Sequence, residues 1–183
     1  FLCDSGSVSV EVALKTAILY QKAKGLKKYK FFALEHAYHG DTLGAMSVCD
    51  PQNSMHSIYG SYLSENIFVK APKLGFSTDC SEEIKVLEGA FKKHNEKVAA
   101  FIVEPIVQGA GGMRIYNPEY LKKARELCTK YDILLIADEI ATGFGHTGKM
   151  FACEWAEIKP DIMTIGKGLT GGYMTMAAMV TSR

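Results

Sequence analysis

The sequence has no apolar run that could cross a membrane, because its longest runs, near ILLIA and VAAFIV, are far shorter than the ~20 residues that a spanning helix needs. It also lacks an excess of charge of either sign. Lys and Arg number 21 and Asp and Glu number 20, which leaves a formal net charge of +1. This balance gives no reason to expect a nucleic acid or an anionic membrane surface as a partner.

The sequence also lacks the cysteine patterns of disulfide frameworks and zinc sites. Its cysteines are odd in number, scattered, and never arranged as C-x-x-C. This usage is typical of reduced thiols in a cytosolic protein, so we expect a cytoplasmic protein without a metal site. The five are Cys3, Cys49, Cys80, Cys128 and Cys153.

What remains is the composition of an ordinary globular domain, with 183 residues, 48% of them hydrophobic and 22% charged. This is enough for one domain with a substantial core. We find no repeat, low-complexity tract or linker, so residues 1–183 are predicted to form one domain. The chain opens on FLCD without Met and closes on MTMAAMVTSR, and both ends look cut through secondary structure. We therefore expect a piece of a longer protein.

Several apolar runs without polar alternation predict strands that are covered on both faces, as in a parallel α/β sheet. The clearest are Val98 to Val103 and Ile133 to Ala137. Between them, Asn117 and Pro118 predict the start of a helix. Strand, helix and strand in this order form a βαβ unit, which requires parallel pairing. The fold class is thus predicted as α/β, with a mostly parallel central sheet and helices on both faces.

Charged residues follow two of these predicted strands. Asp138 and Glu139 come directly after Ile133 to Ala137, and Lys167 comes after a second run, Ile162 to Ile165. Ligands of parallel sheets bind beyond the carboxyl ends of the strands, so we expect these groups to share one site. Taken singly, Asp138 could cap a turn and Lys167 could be a surface amine.

Two other segments predict groups that suit a flat, phosphorylated ligand. Gly6 and Ser7 lie where a strand turns into a helix, and free N–H groups at a helix start bind anions. Ordinary capping by Ser7 is the alternative. Tyr38 follows the predicted strand Tyr29 to Leu34, where an aromatic ring can stack on a planar ligand. The alternative is a half-buried aromatic at the edge of the core.

Three nucleotide or metal patterns are incomplete. The stretch Gly143 to Lys149 resembles a P-loop, but Met150 stands where that loop needs Ser or Thr. A literal G-x-G-x-x-G begins at Gly166, but the residues that follow predict a strand and not the helix of a dinucleotide site. His36 and His39 form H-x-x-H without a predicted helix beneath them or a third ligand nearby.

An acid and an amine at one sheet edge favour pyridoxal phosphate chemistry. A lysine such as Lys167 forms a Schiff base with an aldehyde cofactor, and burial near other groups would keep it reactive. An aspartate such as Asp138 holds the pyridine nitrogen protonated. Gly6 and Ser7 would take the phosphate, Tyr38 would cover one ring face, and Ile140 would pack on the other.

The sequence resembles the pyridoxal phosphate aminotransferases of the ornithine and gamma-aminobutyrate subgroup. The matching motifs lie in the family's order along the whole chain. They are SGS at Ser5 to Ser7, YHG at Tyr38 to Gly40, EP at Glu104, DEIATGFGHTG at Asp138 to Gly148, and GKGLTGG around Lys167. Within the subgroup, DSGSVSVEVA, YHGDTLGAMSVCDPQNSMHS, EPIVQGAGGM and Ala141 are most similar to the branch that transfers an amino group from S-adenosylmethionine to 8-amino-7-oxononanoate in biotin synthesis.

The resemblance implies the fold type I architecture and a homodimer with active sites at the subunit interface. By position, Lys167 would be the Schiff-base lysine and proton carrier, and Asp138 would pair with the pyridine nitrogen. Gly6 and Ser7 would bind the phosphate and Tyr38 would stack and touch the substrate. Glu104 would be a nearby acid. Other amino donors of the subgroup, a non-catalytic cofactor-domain fragment, and a nucleotide-binding oxidoreductase remain alternatives.

The chain departs from the family in two respects. His146 stands where the family usually has arginine, and histidine lacks the bidentate fork of arginine. In the family, further segments supply substrate-pocket residues, a threonine from the partner subunit and a small domain. Residues 1–183 are therefore expected to be the cofactor-binding large domain and to be inactive alone.

Overall fold

A computed structural model describes residues 1–52 and 54–182. Its centre is a seven-stranded sheet with the order β1-β9-β8-β7-β4-β2-β3. The five strands from β3 to β8 in this order are parallel, whereas β9 is antiparallel to both β8 and β1. The strands are β1 Leu2–Cys3, β2 Lys30–Leu34, β3 Ile67–Val69, β4 Val98–Val103, β5 Val107–Gln108, β6 Arg114–Ile115, β7 Leu134–Asp138, β8 Ile162–Ile165 and β9 Ala177–Thr181; β5 and β6 form a separate antiparallel hairpin.

Within residues 1–52 and 54–182, four α-helices surround the sheet, and their ends follow from local sequence. The Asn117 side chain accepts a hydrogen bond from the Glu119 N–H and Pro118 occupies the first helical position, as predicted. The helices are α1 Gly6–Ala23, α2 Leu43–Ser47, α3 Ser81–His94 and α4 Pro118–Lys130. The described part of the chain also contains three 3-10 helices, which are Met55–Tyr62, Ala152–Ala156 and Lys167–Thr170.

The two faces of the sheet bury two separate apolar cores. Two consecutive residues of β2 show this division, because Phe32 packs with α3 and α4 whereas Ala33 packs with α1. Successive side chains of a strand point to opposite faces of the sheet. Strands that are apolar at every position are therefore expected where both faces are covered, as they are here. The prediction of a mostly parallel α/β sheet with helices on both faces is confirmed, and β4, α4 and β7 form the expected βαβ unit with parallel strands.

Local boundaries differ from the prediction in two places. The N-cap of α1 is Ser5 and not Ser7, since the Ser5 hydroxyl accepts from the Val8 N–H at 3.3 Å. The polar, irregular sequence from Asp50 to Asn66 predicts a loop, but this segment contains the 3-10 helix Met55–Tyr62; residue 53 lies outside the described residues. Both differences arise because short polar segments carry little periodic signal.

All five cysteines are unpaired. Among the described residues, no helix is long and apolar enough to span a bilayer. In the same part of the chain, no group of three His, Cys, Asp or Glu side chains is placed to hold a metal ion.

Candidate active site

A cavity of about 340 Å³ opens at the carboxyl ends of the parallel strands. Because β2, β4, β7 and β8 run in the same direction, the residues that follow them meet at one edge of the sheet. All seven residues predicted for the site line this cavity. They are Gly6, Ser7, Tyr38, Glu104, Asp138, Ile140 and Lys167.

Asp138 ends β7 and its carboxylate is held on both oxygens. His39 Nδ1 lies 2.7 Å from Oδ2, while Oδ1 accepts from Thr164 Oγ1 and from the Ile140 N–H, both at 3.2 Å. Asp138 and His39 are buried. Because an ionised carboxylate only accepts hydrogen bonds, the His39 proton lies on Nδ1. The Nε2 atom of His39 is also buried, and no described residue bonds to it.

Lys167 follows β8 in a constrained turn. Its φ is +41°, in the left-handed region that residues with a side chain seldom adopt, and Gly166 before it is extended. The structure therefore fixes where the side chain leaves the backbone. The expected burial of Lys167 is wrong for this chain alone, since its side chain is exposed at the cavity mouth.

The opposite wall of the cavity is the start of α1. The Ser5 hydroxyl accepts a hydrogen bond from the N–H of Val8. The N–H groups of Gly6 and Ser7 belong to the first turn of the helix, where backbone N–H groups have no acceptor within the helix. The Ser7 hydroxyl is already engaged, because it accepts from the backbone N–H groups of Asp41 and Thr42 at 2.9 and 2.8 Å. Anion binding at this end would therefore fall to backbone N–H groups.

Glycine is required at two close approaches in the cavity wall. A Cβ on Gly6 would lie 2.9 Å from Cδ1 of Ile140. Gly40 has a φ of +125°, and a Cβ there would collide with the Ser7 side chain. Both glycines let the segments from α1, β2 and β7 approach each other closely.

Tyr38 belongs to a small polar network at the cavity wall. Its hydroxyl donates to Asp41 Oδ2 at 3.0 Å, and Asp41 Oδ1 lies 2.8 Å from Nε2 of His56. The rings of Tyr38 and His56 stack with centroids 5.8 Å apart. Burial and the bond to Asp41 raise the pKa of Tyr38 to about 12, so the hydroxyl keeps its proton and donates.

Glu104 follows β4 and is almost fully buried. Its carboxylate accepts from the backbone N–H groups of Gly109 and Tyr38, at 2.8 and 3.2 Å. Burial raises the pKa of Glu104 to about 7, despite the opposing effect of His39, and the nearby charge of Asp138 adds to the rise.

The second carboxylate of the pair predicted at the end of β7 lies elsewhere. Glu139 is fully buried and accepts from the N–H groups of Ala152 and Cys153, at 3.0 and 2.8 Å, and from the Thr142 hydroxyl. It does not line the cavity. The expectation that both Asp138 and Glu139 serve chemistry is wrong for Glu139, because adjacent side chains at a strand end point to opposite sides.

Three residues of the network were not predicted from the sequence in these roles. His39 was considered only as half of an H-x-x-H pair, yet it supports Asp138, while His36 lies near Asp50, with Nδ1 3.8 Å from Oδ2. Asp41 and His56 lie within the family-like stretch YHGDTLGAMSVCDPQNSMHS, but no role was predicted for either residue. His146, at the position of the family arginine, is exposed and its Nδ1 donates to the Gly143 carbonyl at 2.8 Å.

Comparisons with known proteins agree on one family. Residues 1–183 match the family model described as aminotransferase class-III. Relatives named adenosylmethionine-8-amino-7-oxononanoate aminotransferase include those of Buchnera aphidicola subsp. Schizaphis graminum and Saccharomyces cerevisiae. They are 48% and 47% identical over 100% of this chain, which covers 43% and 44% of them. The chain thus spans less than half the length of these relatives.

Solved structures show the same likeness. The enzyme of that name from Methanocaldococcus jannaschii is 38% identical with a TM-score of 0.88, and the match covers 100% of this chain and 41% of that one. An omega-transaminase from Thermomicrobium roseum is 33% identical with a TM-score of 0.87, over 99% of this chain and 42% of that one.

The shifted pKa of Glu104 predicts a pH-dependent stability. An ordinary glutamate titrates near 4.5, whereas Glu104 in the folded protein titrates near 7. Between these values the native state holds a proton that the unfolded state has released, so the free energy of unfolding falls as pH rises from about 4.5 to about 7. The Glu104→Gln variant lacks this contribution, which is on the order of 3 kcal/mol across the window.

Urea unfolding of the full-length protein without added cofactor, at several pH values from 4 to 8, measures this difference. The exposed Glu96→Gln is the matched control and retains the wild-type slope. A Glu104→Gln variant with the same pH dependence as the wild type would contradict the prediction.

Proposed function

Because this chain belongs to the class-III aminotransferase family, we propose that the full-length protein is a pyridoxal phosphate-dependent aminotransferase and that residues 1–183 are its cofactor-binding large domain. Members of this family use pyridoxal phosphate. The observation that carries the proposal is that Asp138, Lys167 and the first turn of α1 line one cavity. The rest of the protein's length, which the relatives possess, would complete the site.

The residues of the cavity fit the cofactor. An amine is available at Lys167, a buried and doubly supported carboxylate at Asp138, and first-turn N–H groups at Gly6 and Ser7. A side chain on Gly6 would collide with Ile140, so the backbone at Gly6 and the Ile140 side chain lie close together beside the space that a flat ring would fill. An aldehyde, a pyridine nitrogen and a phosphate are the groups that this set would hold. Tyr38 and Ile140 would flank the ring.

When bound, pyridoxal phosphate supplies an electron sink for the carbanion that forms at the amino-bearing carbon. Lys167 Nζ would hold the cofactor through its aldehyde carbon, with loss of water. Once the donor's amine has displaced it, the free Nζ would be the base that accepts and returns the migrating proton. Asp138, fixed by His39 and Thr164, would keep a proton on the ring nitrogen by remaining an anionic acceptor. The Tyr38 ring would exclude water from one face. Glu104 would tune the charge beside Asp138.

For the substrates, we infer amino transfer from S-adenosylmethionine to 8-amino-7-oxononanoate, which gives 7,8-diaminononanoate in biotin synthesis. The names of the relatives at 47–48% identity support this choice. Ala141, one of the residues that carry the resemblance to this branch, lines the cavity. The alternative is another omega-aminotransferase of the subgroup, which the likeness to an omega-transaminase structure favours. We also infer a cytoplasmic location, where the five free thiols would stay reduced.

Replacing Lys167 tests the mechanism. The Lys167→Ala variant of the full-length protein is expected to lose at least about 10³-fold in kcat and to lose the visible absorption band of the bound cofactor, because Lys167 is the only lysine among the described residues that line the cavity. The matched control is Lys149→Ala, an exposed lysine of the P-loop-like stretch. Unchanged turnover and spectrum in Lys167→Ala would refute both the mechanism and the catalytic use of this cavity.

The amino donor is tested by steady-state assays of the full-length protein with S-adenosylmethionine, ornithine, gamma-aminobutyrate and a diamine. We expect kcat/KM to be highest for S-adenosylmethionine, with ping-pong kinetics against 8-amino-7-oxononanoate. A higher kcat/KM for one of the other donors would replace the biotin assignment and leave the aminotransferase assignment standing.

We further infer a homodimer. The 3-10 helix Met55–Tyr62 exposes large apolar side chains, with Ile58 81%, Met55 75% and Tyr62 73% exposed. Such a patch is typical of a protein interface. Light scattering of the full-length protein is expected to give twice the monomer mass, and replacement of Ile58 by Asp is expected to shift the mass towards the monomer. A wild-type protein that is monomeric at micromolar concentration would contradict this inference.

A further inference from the structure

The 3-10 helix Met55–Tyr62 turns a single buried side chain towards the cavity wall. That side chain is His56, which is 4% exposed although its neighbours on the same turn are open to solvent. Its Nε2 lies 2.8 Å from Asp41 Oδ1, and its buried Nδ1 has no partner in the part of the chain that the structure describes. Because the carboxylate accepts, Nε2 carries the proton and His56 is the donor.

The acceptor of this bond is the residue that orients Tyr38. Asp41 receives His56 on one oxygen and the Tyr38 hydroxyl on the other. The Asp41 side chain is 67% exposed, so without a partner it would sample several rotamers. His56 also stacks on the Tyr38 ring, with an angle of 23° between the ring planes. One histidine thus restrains Tyr38 twice, through Asp41 and by direct contact.

We propose that His56 is a positioning residue, which acts through Asp41 to hold the Tyr38 ring in place against the ligand of the cavity. The proposal rests on the proposed function, since it assigns that ligand to pyridoxal phosphate and the amino donor. It gives the segment around Met55–Tyr62 a role in the site, although His56 itself does not line the cavity.

The geometry indicates which substitutions separate positioning from folding. The side-chain amide of glutamine can reach the place of Nε2, so His56→Gln retains the donor to Asp41. The shorter amide of asparagine corresponds to Nδ1, so His56→Asn removes that donor while leaving a polar side chain of similar character. His94→Asn, in the last turn of α3, makes the same chemical change outside the network and serves as the control.

The full-length protein tests the proposal with two readouts. In His56→Asn we expect the KM for the amino donor to rise about tenfold with kcat nearly unchanged, the loss that corresponds to one hydrogen bond. The dissociation constant of pyridoxal phosphate, titrated into the apo-protein, is expected to rise severalfold, whereas the melting temperature of the apo-protein stays at the wild-type value. His56→Gln is expected to restore both constants to within about twofold of the wild type.

Each outcome decides the matter. Wild-type KM and dissociation constant in His56→Asn overturn the proposal, and so does a His56→Gln variant that is as impaired as His56→Asn. A lower melting temperature of the apo-protein with equal losses in both variants assigns His56 a purely structural role and also overturns it. A wild-type protein that binds pyridoxal phosphate but transaminates no donor refutes the proposed function instead, and the titration of the cofactor then still tests His56.

Discussion

The hydrogen bond between His39 and Asp138 is the contact on which the candidate site depends. It joins the segment after β2 to the end of β7 across the buried strand β4, at 2.7 Å and away from water. A buried carboxylate is costly unless it is paired, and His39, Thr164 and the Ile140 N–H supply its partners. The bond therefore both allows an anion to stay at the base of the cavity and fixes its direction.

Three of the buried acids near this edge have different surroundings, which give them different properties. Asp138 is supported by three donors and opens into the cavity. The carboxylate of Glu139, its neighbour in sequence, accepts hydrogen bonds from N–H groups of the segment Ala152–Ala156. Glu104 has two backbone donors, but its burial, and to a lesser extent the nearby charge of Asp138, raise its pKa to about 7. Residue type alone does not distinguish these roles, because partners and burial decide them.

The opposite wall is built by close backbone approach. Ser7 ties the start of α1 to the turn at Asp41 and Thr42, and Gly40 leaves room for it. The same turn carries Asp41 to Tyr38 and His56. The helix start that would receive an anion and the aromatic ring that would cover a flat ligand are thus parts of one connected structure, which is preorganised before a ligand arrives.

The sequence by itself determined the layered architecture, and the structure brings the seven residues predicted for the site together along one cavity. Unbroken apolar strands require covered faces, and parallel strands bring their carboxyl ends to one edge, so Asp138 and Lys167 had to lie at the same side of the sheet. Only the tertiary structure decided that Ser5 caps α1, that Glu139 turns inward, and that His39 and His56 support Asp138 and Asp41. These contacts join residues far apart in the chain, and periodicity reports only which face of its own element a side chain occupies, not which distant group it meets.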